Sequence, residues 1–573
     1  MNGITFFGDI EKRDQNQLIM LFLAFILFFF SLTVLHFNKS QSYQSYQQIE
    51  FDHADATLFA NLYYPTNRIE FQEKRPLVIY VHGLGNDRNF DIHFPIELVK
   101  RGFFVATLDY HGHGQSSGTI YDINQKTGRL AIYEDVSKLL DVLENLPIYS
   151  SRINSSQIAL VGHSLGGAIV LMTTILDNRI NTTVVLAPLV NYGVLNHPNF
   201  ENNMPVDHLN KTNTKNLLIM AHSDDDLLNY QDHAQVAYNK TNCSISIYNE
   251  AMVGGPHSML SDNSVKEMIS WIEMKFFGFI NGAITTDYIY IYIFLAISLI
   301  ILFIIIFLII SLVANFFSFK KIEVKRKILE EKNTYTKKEK ISRILGIFSS
   351  TIIFLTIWVL FSNYFRLIGI FYSSFLLLGT YGFAYLILYL RKNRDSKNKT
   401  VRLKTKIKNR FKQEFKINYF MYGFLASGIF QGFYLAFTIS YPFAFVWPSN
   451  LRVVLLGFSI FPIFLSMELF YRSIIYPLLD FIDTERTKSK IIVVVSVFIQ
   501  FLIIYLSRIW VFIPGLMVTY IAFLAVIIVN TLIYEKIKSI AIRFVFAIDI
   551  LFFFFGSAIT TVLGIDVAIY LLL

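Results

Sequence analysis

Charged residues are scarce in this chain: Asp, Glu, Lys and Arg make up 16% of its 573 residues, against 54% hydrophobic. That balance excludes an ordinary soluble protein of this length. The apolar excess is uneven. Residues 45–276 read as a normal globular segment, and most of the remainder is long apolar runs. Cysteine occurs once, at Cys243, which excludes an intrachain disulfide framework, so the globular segment must be held by its core alone. Histidine is missing after His257. The net charge of +9 would suit nucleic acid, but its placement argues for no nucleic-acid partner. Ten Lys/Arg crowd into 320–343 and twelve into 391–416, between apolar runs, as expected of loops beside a membrane.

A run of about 20 apolar residues suffices to span a bilayer as a helix. The first such run is 17–36, after a cytoplasmic N-terminus at 1–16. Its leading flank mixes acids with bases and no small-residue cleavage site follows, so it reads as an uncleaved anchor rather than a signal peptide. Further spans are expected near 287–315, 344–364, 367–390, 417–440, 451–479, 491–507, 509–534 and 541–570, making 287–573 a polytopic all-α domain of about eight helices. Basic loops at 318–343 and 391–416 stay in the cytoplasm, which puts the globular segment on the outside. Six Asn-x-Ser/Thr triplets within 37–286 (at Asn38, Asn154, Asn181, Asn210, Asn239 and Asn242), with one elsewhere at Asn398, agree with that side.

Within the globular segment, short apolar β-branched runs recur at 77–82, 103–109, 158–162, 183–187, 217–222 and 244–248. Near-continuous apolar strands point to a sheet buried on both faces. Helical patterns fall between them, at 92–101, 131–145, 165–177 and 230–239. Such alternation predicts an α/β, doubly wound, mostly parallel sheet. Ligands of such sheets sit beyond the carboxyl ends of the strands. His82-Gly83, Asp109, Ser164, Asp226 and His257 gather at those ends.

The clearest chemical signal is Gly162-His163-Ser164-Leu165-Gly166, between a strand and a helix. A chain turning that sharply forces the serine into a strained conformation, and glycines two before and two after it allow the close approach. A serine hydroxyl needs a base. His36 and His53 read as interfacial or surface residues, and His197, His208 and His233 as loop residues. His257 follows the last strand and is the best base. The acid that orients it should follow strand 217–222, in Ser223-Asp224-Asp225-Asp226. Asp226, before Leu227-Leu228, is favoured, with Asp225 the alternative. Backbone N–H groups of Leu84 and Leu165 are expected to form the oxyanion hole. Neither a metal nor a cofactor is called for.

Three stretches, VHGLGNDRNF at 81–90, LDYHGHGQSSG at 108–118 and VGHSLGG at 161–167, resemble the α/β-hydrolase superfamily, in its monoacylglycerol lipase and serine aminopeptidase-like branch. The resemblance covers about 75–262 and implies a Ser164–Asp226–His257 triad. It implies hydrolysis of an acyl ester, thioester or amide, from a small-molecule or lipid substrate. Ser164 and Asp226 are 62 positions apart, leaving only about 189–212 for an insertion, so a large cap is not expected.

Residues 463–482 carry Glu468 and Arg472, four apart on one helical face, and charges inside a membrane helix are functional candidates. The segment resembles the Glu-Glu-x-x-x-Arg motif of the CPBP intramembrane proteases, with Met467 at the first Glu. That family's activity needs histidines in later helices, which this chain lacks, so the resemblance implies a degenerate domain among membrane lipids that has lost that chemistry and either binds a lipid or peptide or only anchors the hydrolase. The rival reading is a membrane transporter or sensor with a hydrolase-like, ligand-binding exterior domain.

Overall fold

The computed structural model describes residues 12–66, 74–89, 93–191, 197–316, 336–362 and 484–507, with isolated positions from 421 to 482 and at 531. A long helix, α1 (Lys12–Ser42), leads directly into an eight-stranded sheet. The strands are β1 (Tyr43–His53), β2 (Ala56–Pro65), β3 (Arg75–Val81), β4 (Phe104–Asp109), β5 (Ile153–His163), β6 (Thr182–Leu186), β7 (Leu217–His222) and β8 (Ser244–Tyr248). Their order is β1-β2-β4-β3-β5-β6-β7-β8. β2 pairs antiparallel with both β1 and β4, and every other pairing is parallel. All strands except β2 therefore point the same way, and their carboxyl ends share one edge.

The middle strands are apolar throughout because both faces are covered. Every residue of β3, β4, β6 and β7 is buried, whereas β8, at the edge, is only half-buried. The six expected strands correspond to β3–β8. The first two were not expected. β1 buries only Ile49 and Phe51 of its described side chains among exposed polar neighbours, too thin an apolar signal to read as a strand.

Helices α2 (His93–Lys100), α3 (Asp135–Glu144), α4 (Pro147–Arg152), α5 (Leu165–Leu176), α6 (Pro205–His208), α7 (Ala234–Lys240) and α8 (Asp262–Phe277) complete the layers. α5 is buried over Leu165–Thr174 and packs on β5 and β6. α8 begins with a capping box, Ser261 Oγ accepting from Ser264 N, and ends at Gly278 in the left-handed region, as helix termini commonly do.

A ten-residue linker then leads to α9 (Tyr288–Phe316). Arg101 grips Glu273 with two bonds of 2.7 and 2.9 Å and donates to the Ala283 carbonyl at 3.2 Å. Lys100 Nζ reaches Asp287 at 2.6 Å, and Thr286 Oγ1 donates to Asp262 at 2.7 Å. The entry into α9 is thereby tied to α2 and α8. α9 lies antiparallel to α1: Gln17 Nε2 donates to Ser311 Oγ at 3.2 Å, and the Ser31 and Ser298 hydroxyls bond to each other. Both helices are long and apolar enough to cross a membrane, over Gln15–His36 and Ala296–Val313. α10 (Lys337–Ser362) and a helix at Glu485–Ser507 are also described. The spans expected at 367–390 and 541–570, those at 417–440, 451–479 and 509–534 apart from isolated positions, both basic loops over most of their length, and Glu468 and Arg472 lie outside the described residues.

Candidate active site

Ser164 sits between β5 and α5 with φ +55° and ψ −116°, a conformation L-residues rarely adopt. Two glycines make the turn possible by close approach. A Cβ on Gly162 would stand 2.3 Å from the Gly166 carbonyl oxygen, and one on Gly166 would stand 2.2 Å from that of Val81. Backbone bonds lock the elbow: Ser164 N donates to Leu186 O, and Leu189 N to Ser164 O, each at 2.9 Å.

The strained turn aims the hydroxyl at His257. Ser164 Oγ and His257 Nε2 are 2.9 Å apart, within range for proton transfer. His257 sits in a short 3₁₀ turn, Pro256–Ser258, entered through Gly255 at φ +100°. Its carbonyl accepts from His163 Nε2 at 2.8 Å, so the residue before the serine steadies the loop that carries His257.

The acid on His257 is Asp225, not Asp226. His257 Nδ1 lies 2.7 Å from Asp225 Oδ2. The reason is the turn after β7. Ser223 N extends the ladder by bonding to Tyr248 O, and the chain then curls, with Asp225 N reaching back to His222 O. Asp225 Oδ1 accepts from Leu227 N at 2.9 Å and Leu228 N at 3.1 Å, which turns its carboxylate inward. Asp226, one position on, is exposed, as is Asp224. Burial pushes the Asp225 carboxyl up, but the hydrogen bond and charge of His257, with the two backbone donors, outweigh it and hold it below the ordinary aspartate value.

Two further histidines brace loops at this edge, His222 that of the acids and His233 the one after β6. His222 Nε2 donates to Glu250 O at 2.8 Å while its Nδ1 accepts from Asp224 N at 3.0 Å. His233, expected to be an ordinary loop residue, is buried and its Nδ1 accepts from Val190 N and Asn191 N, both at 3.2 Å. Burial lowers its pKa, which keeps that acceptor available. Their position after or between strand ends was legible, but nothing in their spacing marks them.

Of the expected oxyanion donors, Leu165 opens α5, where N–H groups lack intrahelical partners. Leu84 follows Gly83, whose Cβ would stand 3.1 Å from Ser164 Cβ, so this loop lies against the serine. The His-Gly-His-Gly loop after β4 is also built into this edge. Asp109 accepts from Arg88 N at 2.6 Å and Gln115 N at 3.0 Å and pairs with the Arg88 guanidinium. Asp135 accepts from His111 Nδ1 at 2.8 Å and from His53 Nδ1 at 2.7 Å. His53 is therefore a half-buried partner of α3 rather than a surface or interfacial residue.

A mostly parallel sheet with one reversed strand, and a serine raised on a strand–helix elbow, define residues 43–277 as an α/β-hydrolase fold. Residues 72–253 match the family described as serine aminopeptidase, S33. Among curated relatives, an Escherichia coli protein, YfhR, whose name marks it as uncharacterized, is 25% identical over 172 residues, covering 28% of this chain and 56% of its own. The platelet-activating factor acetylhydrolase of Cavia porcellus is 28% identical over 154 residues, covering 20% of this chain and 35% of its own. This chain thus spans between about a third and just over half of those relatives. Solved structures similar to it include acetyl xylan esterase 1 from a Thermoanaerobacterium species (15% identity, TM-score 0.31, 44% of this chain and 93% of that one). Another is a carboxylesterase from Lactobacillus plantarum (13%, TM-score 0.34, 42% and 100%).

Proposed function

We propose that this chain is a membrane-anchored serine hydrolase that cleaves an acyl ester, thioester or amide through Ser164, His257 and Asp225. The observation that carries the reading is the unbroken relay from Ser164 Oγ to His257 at 2.9 Å and from His257 to Asp225 at 2.7 Å, on a strained elbow. A binding module has no need of that relay.

The chemistry follows from the geometry. Ser164 Oγ attacks the carbonyl carbon while His257 Nε2 takes its proton. The carbonyl π electrons move to oxygen, and the N–H groups of Leu84 and Leu165 stabilise the oxyanion, each worth about 3 kcal/mol. Collapse breaks the bond to the alcohol, thiol or amine, which leaves with the proton from His257. Water, deprotonated by His257, then releases the acid and restores Ser164. Asp225 keeps Nδ1 protonated, so that Nε2 presents its lone pair, and stabilises the imidazolium.

Membrane anchoring rests on the two long apolar helices, α1 and α9, which flank the hydrolase segment and pair antiparallel. The basic loops then put that segment outside the cytoplasm. Nearness to a bilayer makes a lipid-linked acyl substrate as accessible as a small one. Turnover of a panel of acyl esters and aminoacyl amides by the purified chain, with Ser164→Ala as control, tests the proposal. Hydrolysis that vanishes in the variant is expected. Undiminished hydrolysis by a folded Ser164→Ala protein contradicts it.

A further inference from the structure

The segment Tyr110–Gly114 belongs to a motif that the acyl-transfer steps leave unused. His113 within it is fully buried, beneath the loop that carries Leu84. Its Nε2 accepts from Gly85 N at 3.3 Å, while its Nδ1 lies 3.4 Å from His111 O and donates there. The ring packs against Tyr110, at 4.3 Å between centroids, and against His82, at 5.4 Å. The 83–86 turn is held on two sides. Asn86 N closes it onto Gly83 O at 3.3 Å, and Gly85 adopts φ +80° at its third position. Below it, Arg88 N is fixed by Asp109 at 2.6 Å.

We infer that His113 is a positioning residue for the oxyanion hole: by accepting the Gly85 N–H it sets the direction of the neighbouring Leu84 N–H. The inference rests on the serine-hydrolase reading above. A buried backbone N–H without its acceptor would draw the turn toward another partner, and Leu84 N is one peptide away. The interaction needs an unprotonated Nε2. Burial, reinforced by the nearby His82, lowers the His113 pKa to about 3, so the acceptor persists wherever His257 is a working base. The charged groups packed around this edge, Asp109, Arg88 and the buried Asp87, are engaged with one another and with backbone N–H groups, and His82 stacks on Tyr110 at 4.6 Å.

The test compares His113→Phe, which fills the space without an acceptor, with His113→Gln, which restores an acceptor oxygen. Turnover of p-nitrophenyl acetate and inhibition by a phenylboronic acid, whose tetrahedral serine adduct occupies the oxyanion hole, are measured for each. The Phe variant should lose between about tenfold and about a hundredfold in kcat, less than outright removal of a donor costs. KM should stay near wild type, boronate affinity should weaken by a similar factor, and the Gln variant should recover part of both. His113→Leu serves if the Phe variant does not fold. An unchanged kcat and boronate affinity with only a lower melting temperature, or a change in KM alone, overturns the inference. Failure of the wild-type chain itself to turn over ester or bind boronate contradicts the hydrolase reading instead, and the inference falls with it.

Discussion

Asp225 Oδ1 is occupied by two backbone N–H groups, which leaves Oδ2 to face His257. An acid held this way fixes both the ring orientation and the tautomer. Asp225→Asn can keep the shape but offers the wrong proton arrangement, and kcat should fall by roughly 10⁴. Asp226→Asn, at an exposed side chain, should leave kcat within about a factor of two, a surface change of roughly 0.5 kcal/mol or less. Parallel kinetics on both variants settle which carboxylate acts; equal losses contradict the assignment. The carboxylate's depressed pKa also stabilises the fold. That contribution is present above the ordinary aspartate value and is lost as pH falls through the lowered one. From sequence, the proposed serine and base were legible because G-x-S-x-G between strand and helix, and a histidine after the last strand, are spacings the proposed chemistry imposes. The acid was legible only to within one residue. Asp224, Asp225 and Asp226 are chemically identical, and the curl that selects among them comes from a backbone bond to the neighbouring strand β8.

At the scale of elements, Asp135 joins three pieces of chain: the end of β1 through His53, the loop after β4 through His111, and its own helix α3. Burial disfavours charge on both His111 and Asp135, but their mutual attraction and hydrogen bonds outweigh it, raising the histidine's pKa and lowering the aspartate's. The histidine's share of stability is fully present below its ordinary value of 6.5 and disappears as pH rises through the raised one. The aspartate's share is present above 3.8 and disappears as pH falls through the lowered value. Thermal melting should therefore decline on the alkaline side of that window, and Asp135→Asn should flatten the decline while lowering stability by about 3–5 kcal/mol. An unchanged pH profile in the variant contradicts the clamp. Strands β3–β7 could be read from their apolar runs because both faces are buried there, and the edge strand β8 from its short β-branched run alone. β1 could not, since an edge strand exposes most of its side chains and its identity depends on what pairs with it.

At the scale of the whole molecule, the hydrolase fold stands between two apolar helices and is tied to the second by Arg101, Lys100 and Thr286. The proposed orientation rests on the basic loops, not on these helices. In intact cells, external protease should degrade the segment 43–277, and the chain should stay with membranes through an alkaline carbonate wash. Protection of that segment until lysis contradicts the orientation, and release into the wash contradicts the anchor.

Mass spectrometry of the full-length chain after reaction with a fluorophosphonate probes the relay most directly, because only a deprotonatable serine in an oxyanion-stabilising site reacts readily. The account predicts one adduct, on the peptide containing Ser164, greatly reduced in Asp225→Asn. Folded protein that acquires no adduct, or acquires it on another serine with Ser164 untouched, contradicts it.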